Sequence, residues 1–223
     1  MKKLRTLSLT FIAFLPWAIK KRVLSLAFGY QFEAGARIGL ALVDVKRLEM
    51  GPNSYIGSFT VIRNLSRLKI GEHSKIGTFN WIFGMLESGA FFTKEHERES
   101  ALILGNHSAV TSRHLLDCID LIEVGSFTTL AGFRSQYLTH AIDLRLNRQS
   151  CAPIRIGSHC FIGTGVLILK GVVVPDRCAI AAGSVVAKSL EAPDFVYAGN
   201  PVQKLRALDG TEKYYHRETG NVK

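Results

Sequence analysis

Residues 156–186 read IGSHCFIGTGVLILKGVVVPDRCAIAAGSVV. Ile156, Ile162, Ile168, Val174, Ile180 and Val186 fall there on a strict six-residue beat, and glycine follows the first two at once. Four residues after each beat the side chain is usually small: Cys160, Val166, Val172, Cys178 and Ser184, with Leu190 the exception. A period of six fits neither a helix, at about 3.6, nor a simple strand, at about 2. It is the mark of an all-β solenoid in which each short strand makes one wall of a prism and three make a turn.

The beat extends backwards. It starts weakly at Ile38-Gly39, resumes at Ile56-Gly57 and Ile62, slips by two, and continues at Ile70-Gly71, Ile76-Gly77 and Ile82. Glycine after the aliphatic suits a corner where a backbone without Cβ takes unusual dihedrals. Residues 84–103 break the pattern with Lys94, Glu95, Glu97, Arg98 and Glu99, and read as a loop thrown off one corner. A loop this long in a compact fold is more often functional than idle, and it is expected to line an acceptor site. The beat returns at Leu104-Gly105, Val110 and Leu116, slips by two again, and runs through Val124-Gly125, Leu130, Gln136 and Ile142. A second loop, 143–155, holds Arg145, Arg148 and Gln149. Ala198-Gly199-Asn200-Pro201 is a turn signal, and the basic tail after it reads as a short helix or loose arm. The expected organisation is a helix in 1–30, the prism over 31–191, and a turn and basic tail over 192–223.

With 223 residues, 47% hydrophobic and 21% charged, the chain has the composition of a folded protein. Its net charge is +10, and no acid occurs before Glu33. Such a basic end suits nucleic acid, anionic lipid or a polyanionic substrate. No zinc-finger spacing or RNA-binding aromatic motif occurs, so nucleic acid is not expected as a partner. None of the four cysteines forms a CxxC pair, so no metal is signalled. Cys160 and Cys178 should stack on adjacent rungs as buried thiols.

Leu7 to Ile19 is a largely apolar stretch of thirteen residues, short of the about 20 needed to cross a bilayer. Lys20-Lys21-Arg22 follows where a signal peptide would place small residues, which argues against export. Two readings remain open together: a helix capping the prism, or an interfacial anchor with Phe11, Phe14, Leu15 and Trp17 in the lipid boundary. The second makes residues 1–22 a peripheral contact with an anionic membrane, and the location cytoplasmic at its inner face.

His140 is the candidate base. It ends a rung just before the second loop, and imidazole is suited to taking a proton from a hydroxyl or amine near neutral pH. Around it stand Thr111-Ser112-Arg113-His114-Leu115-Leu116-Asp117, Leu130-Ala131-Gly132-Phe133, Thr139-His140-Ala141-Ile142-Asp143, Ile156-Gly157, Ala182-Gly183-Ser184-Val185-Val186 and Ala198-Gly199-Asn200-Pro201. Together these segments resemble the hexapeptide-repeat acyltransferases, in the branch of the galactoside and maltose O-acetyltransferases found with bacterial surface-polysaccharide biosynthesis. The likeness covers about 100–206, and more weakly the earlier rungs.

That resemblance implies a left-handed parallel β-helix, a homotrimer and acetyl-CoA as co-substrate, with no metal. It places the catalytic base at His140, and in the family the position of Asp117 approaches the acceptor; read from its chemistry, Asp117 either fixes the imidazole's tautomer or satisfies backbone groups at the slipped corner. The resemblance places Arg113, His114 and Asp143 near a carbohydrate acceptor. The pantetheine arm would pass Phe161, Gly163, Thr164, Ala182 and Lys188, with an oxyanion held by backbone N–H groups near Gly163-Thr164 and phosphates on Lys204 and Arg206. Gln203 stands where the family often has a basic residue. The stretch 111–117 departs from the galactoside enzymes, which leaves the acceptor open. The expected reaction is O-acetylation of a sugar hydroxyl in a polysaccharide or its lipid-linked precursor. N-acetylation of an amino sugar and a non-catalytic scaffold are the alternatives. A zinc site of the γ-carbonic-anhydrase type would need His107, His114 and His140 to converge.

Overall fold

The computed structural model describes residues 2–86, 91–92 and 98–220, so Lys94, Glu95 and Glu97 of the first loop lie outside the described residues. The chain is mostly β, and nearly all its strands pair in parallel with a strand one turn away. Three stacks result. In the first, Ile38, Ile56, Ile76, Val110, Leu130, Ile162 and Ile180 lie in register. In the second, Val43, Ile62, Ile82, Leu116, Tyr137, Ile168 and Val186 do. In the third, the column is Met50, Ile70, Leu104, Val124, Ile156 and Val174. These side chains are buried and form one continuous core.

One position of the expected beat is corrected. Tyr137, not Gln136, fills the inward place beside Leu116 and Ile168, and Gln136 and Ile142 are exposed. The corner at 131–135 carries one residue more than its neighbours, which shifts the phase by one. The two slips are wide corners. Val61–Ile70 is one strand that turns from the second wall to the third, burying Leu65 and Leu68 on the way. The later slip falls between Leu115–Cys118 and Ile122–Val124.

The glycines after the beat are there for space. A Cβ on Gly57 would stand 2.5 Å from the Gly77 carbonyl carbon, and one on Gly77 would stand 2.3 Å from the Thr111 oxygen. The left-handed dihedrals fall two residues later, on Asn53, His73, His107, Phe127 and His159. Each donates its N–H to a carbonyl of the rung before, as His107 does to Glu72 at 2.8 Å. That bond offsets the roughly 1–2 kcal/mol cost of the conformation. The rings of His73, His107, Phe127 and His159 then stack at 4.8–5.0 Å along this corner.

The ends also differ from expectation. Two helices, α1 (Lys2–Ala13) and α2 (Trp17–Phe28), precede the coil, parted at Pro16. Leu9 and Leu24 join the core from them, and Lys20 donates to the Gly39 carbonyl at 2.8 Å. The tail is no loose arm. Gln203–Ala207 pairs antiparallel with Phe195–Ala198, and Tyr215 is buried. The Tyr214 hydroxyl donates to the Cys160 carbonyl at 2.9 Å, and Arg217 donates to the Phe127 carbonyl. Cys160 and Cys178 are buried thiols outside any disulfide.

Polar groups lock the corner between the first and second walls. Buried Asn80 donates to the Thr111 carbonyl at 2.8 Å and accepts the His114 N–H at 2.9 Å. The His114 ring is itself buried, with Nδ1 accepting from the Ser135 N–H at 3.2 Å and Nε2 against the Thr111 hydroxyl at 2.9 Å. Replacing Asn80 by Ala strands two buried backbone groups, and urea unfolding should show a loss of about 2–5 kcal/mol. Burial also pushes the His114 pKa down to about 4 from 6.5. The folded chain therefore resists a proton that the unfolded chain takes up. The stability this ring contributes is complete above about pH 6.5 and is lost as pH falls towards about 4. Its NMR signals should stay those of a neutral imidazole at pH 5; a His114 that titrates near 6.5 contradicts this packing.

Candidate active site at the wide corner

The two interruptions of the coil leave from one corner, between the second wall and the third. Gly84, where the first begins, is paired with Cys118, and Cys118 with its neighbours forms the plain rung between them. The second interruption is a β-hairpin rather than an irregular loop: His140–Asp143 pairs antiparallel with Arg148–Cys151. Asp143 accepts from the backbone N–H groups of Arg145 and Leu146 at 3.0 and 3.1 Å, so it closes the hairpin turn. The hairpin is tied to the coil at its root, where Ala152 donates to the Thr139 carbonyl at 3.0 Å.

Asp117 and His140 meet at that root. Asp117 has no exposed surface; its Oδ2 is in contact with His140 Nδ1, and its Oδ1 accepts the Ile119 N–H at 3.1 Å. The His140 side chain is 33% exposed. A carboxylate only accepts hydrogen bonds, so the neutral imidazole beside it carries its proton on Nδ1 and leaves the Nε2 lone pair available. Thr139 fixes the strand leading there: its hydroxyl donates to the Asp117 carbonyl at 2.6 Å and accepts the Asp120 N–H at 2.9 Å.

Phe92, from the first loop, packs edge-on to His140 with centroids 6.5 Å apart. Arg98 lies over the Phe92 ring at 5.3 Å and donates to the Met85 and Ile119 carbonyls at 2.8 and 2.5 Å. Phe92, Ile119 and Cys151 make a small core of their own beside the main one. Sequence reading passed over Phe92 and quoted Thr139 only as the neighbour of His140. The one available signal was Phe91-Phe92, an aromatic pair inside a polar stretch.

The other candidate residues lie elsewhere. Lys188 and Lys204 line a cleft of about 690 Å³ near the last rungs, with Ser189, Leu190, Glu191 and Gln203. This cleft lies further along the coil on the edge between the second and third walls, where the Leu169 N–H donates to the Val186 carbonyl and the Ser189 hydroxyl to the Gly171 carbonyl at 3.4 Å. Lys204 is paired with Glu191 at 3.3 Å and Arg206 with Glu212 at 3.0 Å. Arg113, Gly163, Thr164 and Ala182 sit at the opposite edge of the second wall, where Arg113 lies over Phe79 at 5.7 Å. The Gly163 N–H, expected near an oxyanion, donates to the Ile180 carbonyl at 2.8 Å, because a rung needs that bond to hold the next one. Thr164 bonds to the backbone of Phe133, and Phe161 is edge-on to Tyr214 at 5.6 Å. His107, His114 and His140 occupy three different corners, and among the described residues no cluster is placed to hold a metal.

The family model for the hexapeptide repeat of succinyl-transferase matches residues 153–188. Galactoside O-acetyltransferase of Escherichia coli K12 is 37% identical over 75 residues, which is 33% of this chain and 36% of that protein. A putative acetyltransferase of Saccharomyces cerevisiae is 36% identical over 84 residues, 35% of this chain and 42% of that one. The chain thus spans well under half the length of the curated relatives it matches. Among solved structures, a variant of AntD, an N-acyltransferase from Bacillus cereus in complex with dTDP-4-amino-4,6-dideoxyglucose and coenzyme A, superposes with a TM-score of 0.53. It is 17% identical, with 85% of this chain and 89% of that chain covered. At that identity the likeness concerns the fold alone. Over the matched stretches the chain is similar to hexapeptide-repeat acetyltransferases, and its fold is similar to that of an N-acyltransferase.

Proposed function

We propose that this chain is an acetyl-CoA-dependent O-acetyltransferase acting on a sugar hydroxyl of a polysaccharide or its lipid-linked precursor. The observation that carries the reading is the buried Asp117 carboxylate against Nδ1 of a half-exposed His140. Its coil is a left-handed β-helix in this reading, and its place of work is the cytoplasm, at the inner face of a membrane.

The mechanism follows from that pair. His140 Nε2 takes the proton of the acceptor hydroxyl. Acetyl-CoA supplies the thioester: its carbonyl carbon gains a bond to the acceptor oxygen and loses its bond to sulfur. The proton returns from Nε2 to the departing thiolate. Asp117 stabilises the imidazolium that forms in between, and Phe92 covers one edge of the ring against water. The cleft holding Lys188 and Lys204 has the size and charge for the donor's pantetheine and phosphates. Exchange of Glu191 and Glu212 for phosphate on Lys204 and Arg206 is inexpensive, since surface ion pairs are worth only about 0–1 kcal/mol.

A homotrimer accounts for the separation of the remaining residues. The outward face of the second wall is mostly apolar: Leu42, Val61, Trp81, Leu115, Leu167 and Val185, interrupted by Gln136 between Leu115 and Leu167, with Trp81 63% exposed. The third wall is charged, with Glu49 paired to Arg67 and Glu123 to Arg155. Packing around the second wall would bring Gly163, Thr164 and Ala182 of one copy beside His140 of another.

Thiol release from acetyl-CoA, measured with neutral and amino-sugar acceptors, tests the reaction. His140→Ala should lower kcat by about 10²–10⁴-fold while circular dichroism is unchanged; near-full activity defeats the assignment. Acetylation of the amino sugars alone would make the protein an N-acetyltransferase. For the assembly, Trp81→Glu should convert a trimer to monomers in light scattering and lower turnover together; a trimer that survives the charge moves the interface to another wall.

A further inference from the structure

Both N-terminal helices bury one face and leave the other bare. On α1, Leu9, Ile12 and Ala13 turn to the coil, while Arg5 pairs with Asp44 at 2.7 Å. Leu4, Leu7, Phe11 and Phe14 recur every three or four residues on the opposite side, 54–71% exposed. That spacing is one face of a helix. On α2, Lys20 and Leu24 are buried, while Ile19 and Leu26, seven residues apart, are 53% and 81% exposed. Trp17, expected in a lipid boundary, faces inward and packs edge-on to Phe32 at 5.4 Å. The helices thus reach the core through their inner faces, and among the described residues the outer stripe stays exposed.

Charge selects the occupant. No acid occurs in residues 1–32, Arg22 is exposed beside Ile19 and Leu26, and Lys21 is half-exposed. Asp44, a carboxylate that α1 meets on the coil, is paired with Arg5. Among the described residues no helix is long and apolar enough to cross a membrane. An apolar stripe with large aromatics, flanked by cations and free of acids, matches the boundary of an anionic bilayer, where rings enter the acyl region and cations meet phosphates. We infer that the outer face of α1 and α2 seats the protein on an anionic lipid surface, with Leu4, Leu7, Phe11, Phe14, Ile19 and Leu26 inserted. The coil end is then presented to the bilayer, and the catalytic corner stands off along the coil, within reach of an acceptor carried on lipid.

Flotation of the full chain with vesicles tests this without turnover, so its outcome is separate from that of the acetyltransferase reading. The chain should float with vesicles of phosphatidylcholine and phosphatidylglycerol at least about tenfold more than with phosphatidylcholine alone, and less as salt rises. The double variant Leu7→Ser, Phe11→Ser changes only outward side chains. It should keep the wild-type melting temperature and lose at least tenfold in vesicle binding. Wild-type binding by that variant, or no binding of the full chain to either vesicle, overturns the inference. A fall in molecular mass of the lipid-free double variant in light scattering also overturns it, because the stripe would then join copies of this chain.

Discussion

Everything in this molecule follows from the parallel ladder that holds each rung to the next. A rung of two or three residues makes only a few backbone bonds, and it is stable because rungs before and after it satisfy its N–H and C=O groups. Neighbouring backbones then lie about 4.8 Å apart at every wall and every corner. That spacing dictates composition. Inward positions must take aliphatics of similar size, stacked in columns such as Ile56, Ile76, Val110 and Leu130. Corner positions such as Gly57 and Gly77 cannot carry a Cβ, because the next rung already occupies the space.

The ladder also decides where chemistry can stand. Gly163 shows the limit: a backbone N–H within a rung is committed to the next rung and is not free to serve a reacting oxygen. Functional side chains are confined to outward positions, corners and excursions. At the wide corner all three meet, with Asp117 on a plain rung and excursions leaving from the rungs on either side. The first excursion contributes Phe92 and the second His140, so the site is assembled from segments far apart in sequence and one rung apart in space.

The rungs were legible in the sequence because every beat obeys the same local constraint. The phase error at Gln136 arose where the constraint is weakest: one extra corner residue shifts the count, and Tyr137 can substitute for an aliphatic since its ring fills the same column. His140 drew notice from position, as a histidine beside a break in the beat, and its candidacy as a base came from family likeness. Its contact with Asp117 was one of two open readings of that carboxylate, since nothing in the spacing of 117 and 140 says that they share a corner. Phe92 was illegible for the same reason, and the tail for another. Its anchor is Tyr214 and Arg217 on the carbonyls of Cys160 and Phe127, and such side-chain bonds to backbone leave no periodic trace. His114 misled in the other direction: imidazole suggests chemistry, yet both its ring nitrogens are used in holding a corner closed.

The buried carboxylate of Asp117 has a consequence for how such a site can vary. An ionised group sealed from water is costly unless its oxygens are satisfied, and here one takes the Ile119 N–H while the other faces the imidazole. Removing either partner would leave a charge in a dry corner, so the ring cannot drift without a large penalty. Its backbone is held as firmly, by the Thr139 hydroxyl on the Asp117 carbonyl and by Ala152 on the Thr139 carbonyl. The hairpin between 140 and 151 is thus clamped at its root and open at its tip, where Leu144 and Leu146 are exposed. Changes at the tip alter the surroundings of the His140 ring without moving it. A coil so constrained at every rung is free to vary at the tip of this hairpin, where the ladder has no claim.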